Sequence, residues 1–256
     1  MNIKYVIPSY KRASGLKTPY WVKKSKIYVS KEDYENYIKG NENLEDRLVV
    51  VPDGVQGNGK GICINWILDN EWDEKTDAII MMDDDIEGIY WFNSNGKDRK
   101  LEEDDFYELC EKHTLLAKEL GVGCWCFGTG GTDRLLHESF TPFNLKKVGT
   151  DQFMCYVEND GIRYDERFLT SEGFDYQLQS IQKYKRIFRD NRYYVIHMQW
   201  KNKGGYQDIR IDGDMTDVKY RNLMRKKWGR IIQVSKKQKE GKIKCGYTIK
   251  VPIKGV

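Results

Sequence analysis

No run of about 18 apolar residues occurs in this 256-residue sequence, which argues against a membrane-spanning helix. Framework cysteine spacings are missing as well. The six cysteines, Cys63, Cys110, Cys124, Cys126, Cys155 and Cys245, follow neither a zinc nor a disulfide pattern. Cys124 and Cys126 lie two apart in an apolar stretch, so strand alternation puts both thiols on one face as small buried hydrophobes. Only three histidines are present. No internal repeat, coiled coil or low-complexity block is visible. With no signal-peptide pattern ahead of the first strand and thiols that suit a reducing compartment, a cytoplasmic location is expected.

What is present is a globular composition, 39% hydrophobic with 17 Tyr and 7 Trp, too aromatic for a disordered chain. The net charge of +4 hides an asymmetry: from Lys219 onward there are 13 Lys or Arg and one acidic residue, Glu240. The preceding residues hold 30 basic and 38 acidic side chains. A main domain over 1–218 with a basic extension over 219–256, packed on it or adjoining it, is the expected organisation. Such asymmetry suggests a polyanionic partner near the extension. Its cations are interleaved with Tyr220 and Trp228, which could stack on bases; a solvated basic helix followed by a hairpin is the plainer alternative.

Strands are expected over 3–7, 26–30, 47–51 and 78–82, with helices over 30–38 and 62–70 between them. Continuous apolar runs alternating with helices are the pattern of a parallel α/β sheet covered on both faces, and ligands bind such sheets outside the carboxyl ends of the strands. The second half reads as a helix over 101–120, strands over 122–127, 152–157 and 192–197, and a helix over 171–184. A polar connector spans 93–105.

The strongest local feature is Asp83-Asp84-Asp85 at the end of the fourth strand. Three adjacent carboxylates repel one another, and a hard divalent cation such as Mg²⁺ or Mn²⁺ bridging diphosphate oxygens is a common compensation. In an extended segment Asp83 and Asp85 would face the metal and nucleotide while Asp84 braces the backbone. A solvated acidic turn is the plainer reading. His197, closing the strand Tyr193-Tyr194-Val195-Ile196, is a candidate third ligand, although a lone histidine after a strand is usually structural. His113 and His137 read as bystanders.

Residues 54–61, from Gly54 to Lys60 and Gly61, nearly match the phosphate-binding pattern GxxxxGK[ST], but Gly61 stands where the cation-binding hydroxyl is required. The loop could instead let its backbone and Lys60 approach a diphosphate or uracil, with Asn65 on the helix behind; a flexible surface loop is the alternative. Glu172 and Asp175 lie three apart at a helix N-terminus, hence on one face. Either could deprotonate or orient an acceptor hydroxyl, and simple N-terminal capping is the alternative.

In order, Ile7-Pro8-Ser9-Tyr10-Lys11-Arg12, Asp83-Asp84-Asp85-Ile86, Tyr164-Asp165-Glu166-Arg167-Phe168 with Glu172 and Asp175, and His197 resemble the GT-A glycosyltransferase fold. That resemblance implies a Rossmann-like, mixed and mostly parallel sheet flanked by helices. More narrowly, the chain is similar to phage-type glycosyltransferases associated with TET-like DNA oxygenases. The matching pieces are the opening strand and turn, Lys60-Gly61-Ile62 with Asn65-Trp66-Ile67-Leu68, the block from Met82 to Asp85, and Lys227-Trp228-Gly229. Related sequences often carry an Arg beside the helix Asn, where this chain has Ile64.

The resemblance implies that Pro8, Ser9, Tyr10 and Arg12 hold the nucleotide base. It also implies that the Asp triplet, Asp84 included, binds metal-diphosphate and donor ribose, and that the region from Glu172 to Asp175 meets the acceptor. It further implies a UDP-sugar donor and a hydroxymethylated pyrimidine, such as hydroxymethylcytosine, in phage DNA, acting in the host cytoplasm. Other readings are a GT-A enzyme with a protein, glycan or lipid-linked acceptor, a nucleotidyltransferase, or an inactive nucleic-acid-binding GT-A domain.

Overall fold

The computed structural model describes residues 1–41, 43–92, 98–128, 142–197, 204–205, 214–239 and 242–250. Within these, 214–217, 234–239 and 242–248 are described by their backbone. His137 and residues 93–97 of the expected connector lie outside them. The order is β1 (Ile3–Pro8), α1 (Thr18–Trp21), β2 (Ser25–Ser30), α2 (Tyr34–Gly40), β3 (Leu48–Val51), α3 (Lys60–Glu71) and β4 (Ala78–Met82). Then come β5 (Ile86–Trp91), β6 (Arg99–Lys100), α4 (Glu103–Glu119), β7 (Cys124–Gly128), β8 (Phe143–Asn144) and β9 (Phe153–Tyr156). The chain continues through α5 (Glu172–Tyr184), β10 (Phe188–His197), α6 (Asp214–Trp228), β11 (Ile232–Lys239) and β12 (Lys242–Ile249).

Among the described residues, ten strands form one mixed sheet, ordered β3-β2-β1-β4-β9-β7-β10-β5-β6 with β8 on β10. Strands β1 to β4 are mutually parallel, as their unbroken apolar runs suggest. β9 enters antiparallel between β4 and β7, and β5 and β8 run antiparallel to β10. Every other strand of this sheet shares the direction of β1. The α/β class read from the sequence is the class observed.

Side-chain alternation sorts the core into two layers. In β4, Ala78, Ile80 and Met82 join Tyr5, Ile7, Phe106, Trp125, Phe127 and Phe153 under α4. Ile79 and Met81 face the other way, with Cys63, Ile64 and Ile67 of α3 and Tyr176 and Ile181 of α5. Cys124 and Cys126 both belong to this second layer. Each large side chain fully removed from water contributes about 1.5–3 kcal/mol, so a strand buried on both faces such as β4 is a rigid base for the residues attached to its end. Asp83 is the first of them.

Several sequence expectations shift. Residues 86–91 form a further strand directly after the triplet, and 99–100 pair with it inside the expected connector. β10 starts at Phe188 rather than 192, because it begins with the buried polar pair Arg189 and Asp190. His113 is a core residue: its Nε2 lies 2.8 Å from Asp190 Oδ2, joining α4 to β10.

Helix α6 runs through the expected boundary at 218/219 and packs on the main body. Tyr220, Met224 and Ile232 are buried against Phe168 and Leu178. Trp228 donates its indole N–H to Asp175 at 2.7 Å, and Lys227 reaches Asp175 at 2.8 Å and Asp165 at 2.9 Å. Asp175 is wholly buried. Asp175→Ala would strand the Trp228 and Lys227 donors and is expected to cost about 3 kcal/mol, read as a shift in the urea midpoint followed by tryptophan fluorescence.

Candidate active site

Because β1, β4 and β10 run in one direction, Pro8, the Asp triplet and His197 emerge at one rim. A cavity there is lined by Pro8, Tyr10, Arg12, Lys60, Asp83, Asp84, Asp85, Asp151, Glu172 and His197, among others. The triplet does not continue the strand: after Met82 the chain turns at 84–85. The turn is pinned from behind by α1 and the residue before it. Lys17 and Thr18 backbone N–H groups donate to the Asp84 carbonyl at 2.9 and 3.1 Å. The Thr18 hydroxyl donates to the Asp83 carbonyl at 2.5 Å and accepts from the Ile86 N–H at 2.9 Å.

The turn changes where the carboxylates point. Asp84 and Asp85 do not face opposite sides; both reach Arg12 Nη1, at 3.0 and 3.2 Å. Asp84 also accepts the Ser9 hydroxyl at 2.5 Å, and Ser9 contacts Tyr37 OH at 2.7 Å. Asp84 braces the floor from within the cavity lining instead of facing away from it, while Ser9 lies beneath the cavity. Asp83 turns to Lys60, whose Nζ is 2.5 Å away. Lys60 is the first residue of α3 and follows Gly59, whose φ of +136° is a conformation for which glycine is suited.

Asp151 is the member that the sequence reading missed. The ladder of β9 against β4 extends one step past the strands, with Asp83 N–H donating to the Gln152 carbonyl at 2.9 Å. That pairing sets Asp151 beside the triplet. Gly173 makes room for it, since a Cβ at 173 would stand 2.3 Å from the Asp151 Cβ. Glu172, at the start of α5, completes the wall.

Five carboxylates thus share the cavity with the cations Lys60 and Arg12, and with His197. Burial, opposed by Arg12 and Ser9 but reinforced by Asp85 and Asp83, pushes the Asp84 carboxyl up to about 6. Burial and the charge of Asp83 raise Asp85. Burial likewise raises Asp151, against the pull of Lys60. Burial, opposed by Lys60 and reinforced by Asp151 and Asp83, pushes Glu172 up to about 7. Burial works against the Lys60 ammonium, yet Asp83, Asp151 and Glu172 hold it above the usual lysine value. Among the described residues no group of three or more His, Cys, Asp or Glu side chains is arranged to hold a metal ion.

Besides Ser9, three expected site residues are placed elsewhere. Asn65 is buried behind the cavity and clamps residue 164, accepting its N–H at 2.7 Å and donating to its carbonyl at 2.9 Å. Gly61 packs against the Tyr164 side chain. Asp175 does not share a surface with Glu172: one helical turn onward, it is committed to Trp228, Lys227 and Gln179. Tyr220 is buried in packing, and Trp228, half-buried, donates its indole N–H to Asp175.

A model of the TET-associated glycosyltransferase family matches residues 3–205, and the chain belongs to that family. The matched span ends before Lys227-Trp228-Gly229. No curated protein matches the sequence. Among solved structures, S. aureus TarS in complex with UDP-GlcNAc is 11% identical with a TM-score of 0.49, over 87% of this chain and 65% of that one. TarS with UDP gives 12% identity and a TM-score of 0.43, over 76% and 60%. Glucosyl-3-phosphoglycerate synthase from Mycobacterium tuberculosis, with Mg²⁺ and UDP, gives 14% and 0.47, over 98% and 89%. The chain thus spans less than two thirds of the TarS chains, and likenesses this distant carry no argument about the site.

A carboxyl whose pKa is higher folded than unfolded binds more protons in the native state. Its contribution is complete below the unfolded value and is lost as pH rises through the folded one. For Glu172 that window runs from 4.5 to about 7. Stability is expected to fall between about pH 5 and about pH 7.5, and Glu172→Gln should reduce the fall. Urea midpoints at the two pH values check this; an unchanged slope would remove Glu172 from the crowded cluster.

Proposed function

We propose that this protein transfers a sugar from a UDP-sugar to the hydroxyl of a hydroxymethylated pyrimidine in DNA, with Mn²⁺ or Mg²⁺ at the Asp triplet. The observation that carries the donor half is the excess of carboxylates over cations at a rim where parallel strands end. Magnesium-type sites commonly use one or two protein carboxylates and take their other ligands from phosphate and water. Asp83 and Asp85 would supply such carboxylates, and His197, which lines the same cavity, would be a further ligand. When bound, that cation neutralises charge on the departing diphosphate.

The chain's own groups do the rest. Tyr10 and Pro8 border the cavity at the end of β1, where the base would lie, and Arg12 and Lys60 offer positive charge to phosphates. Glu172, held near neutrality in its proton affinity, accepts the proton of the acceptor hydroxyl. The hydroxymethyl oxygen bonds to the anomeric carbon, the bond from that carbon to the phosphate oxygen breaks, and UDP leaves.

The family's association with TET enzymes and the basic extension support the DNA acceptor. Its exposed cations include Arg225, Lys226 and Arg230, whereas Lys227 is engaged by Asp165 and Asp175. DNA would therefore be gripped through phosphates, without base stacking by the buried Tyr220.

Incubation with UDP-glucose or UDP-N-acetylglucosamine, Mn²⁺ and hydroxymethylcytosine DNA is expected to release UDP and add a hexose mass to the nucleoside. Transfer to protein or glycan with no DNA product would replace the acceptor. Asp85→Ala is expected to lower metal-dependent UDP affinity by about 10–100-fold, measured calorimetrically. Neutralising Arg225, Lys226 and Arg230 together should reduce the salt slope of DNA binding by up to about 2.7. An unaltered slope would take the extension out of DNA contact.

A further inference from the structure

The two cations on the carboxylate floor are held in different ways. Arg12 is clamped: its guanidinium meets Asp84 at 3.0 Å, Asp85 at 3.2 Å and the Gly204 carbonyl at 3.3 Å. The Asp84 and Asp85 side chains retain only 4% and 6% of their exposure, so removing Arg12 would leave buried charge unpaired. Lys60 meets Asp83 at 2.5 Å and the Asp151 carbonyl at 3.4 Å. The Asp83 side chain is 24% exposed, the most open of the three, so it is the carboxylate that an incoming ligand reaches first. A lysine ammonium is a compact charge on a flexible stem and can exchange one anion for another without rebuilding its surroundings, whereas a guanidinium fork is matched to fixed partners.

We propose that Lys60 is a tethered place-holder for the divalent cation, resting on Asp83 until a nucleoside diphosphate draws its ammonium to the phosphates and frees that carboxylate. The inference rests on the donor reading given above and adds an order to it. A dication approaching Asp83 before the nucleotide meets an ammonium at contact distance. With the nucleotide in place the ammonium has a polyanion to move to, and Asp83 becomes a ligand. Nucleotide and cation should therefore strengthen one another's binding by the same factor, as linkage requires. Part of that coupling comes from the phosphates acting as ligands; the part assigned to Lys60 is what disappears with its charge.

The test measures Mn²⁺ affinity directly, from the electron paramagnetic resonance signal of free Mn²⁺, with and without UDP. Wild type, Lys60→Gln and Lys60→Met are compared, each checked for folding by circular dichroism. In wild type, UDP is expected to raise Mn²⁺ affinity by at least about tenfold. In the variants, affinity without UDP should rise by about tenfold while the UDP-dependent gain falls to about threefold or less. A lysine that stays on Asp83 in the nucleotide complex would raise affinity equally with and without UDP when removed, leaving the gain unchanged; that result overturns the proposal. Absence of any UDP-dependent gain in wild type overturns it too, whatever the variants do. Failure of wild type to bind UDP at all would remove the donor reading and this inference together. UDP binding with equal gains in wild type and variants would sink the inference alone.

Discussion

Repulsion among Asp83, Asp84, Asp85, Asp151 and Glu172 is the constraint on which this rim depends. Two like charges about 4 Å apart oppose each other by about 4 kcal/mol at an effective dielectric constant near 20, comparable with a large part of a domain's net stability. The cluster is tolerated because everything around it is rigid or positive. Behind it lies β4, buried on both faces, and a turn pinned by Thr18. In front stand Arg12 and Lys60. Protonation takes up part of the remaining strain, which is why burial and neighbouring charge lift Asp84 and Glu172 toward neutral pH.

Much of this was readable in the sequence. The apolar runs of β1 to β4 and the glycine-rich turn before α3 announce a parallel sheet, and the Asp triplet falls where such a sheet binds ligands. The direction of β9 was not readable. Its unbroken apolar run reads the same whether it runs up or down, and Asp151 reaches the cavity only because it runs antiparallel to β4. The start of β10 was hidden for a different reason: Arg189 and Asp190 look like loop residues, and only tertiary partners such as His113 make their burial tolerable. β5 was obscured because it starts immediately after the triplet, and Glu87 and Gly88 interrupt its apolar run.

The helix start at Glu172 and the basic extension show what composition and spacing leave open. Three-residue spacing places Glu172 and Asp175 near one another, but a helix of radius about 2.3 Å cannot say whether both face one neighbour. Here Glu172 meets the cavity and Asp175 meets α6. The count of cations in the extension likewise says nothing of which are already neutralised. Lys227 spends its charge on Asp165 and Asp175, and the aromatic residues that suggested base stacking hold the helix down instead. The extension lies beyond the matched family span, yet it braces the segment that leads from Phe168 to Glu172.

A floor of carboxylates cannot by itself attract a diphosphate, so the rim must be anionic at its base and cationic at its lip. Two helices help reconcile these demands, because α3 and α5 both begin at the cavity, with Lys60 and Glu172 as their first residues. Helix N-termini carry partial positive charge that stabilises carboxylates and phosphates alike. At α5 that charge falls on a carboxylate that belongs to the wall. At α3 it is joined by a lysine whose anion is the most exposed member of the triplet. The fixed positive charge thus sits on the buried anions, and the movable positive charge sits beside the open one. Such a division lets one floor remain folded without a ligand and still accept a cation and a polyanion together.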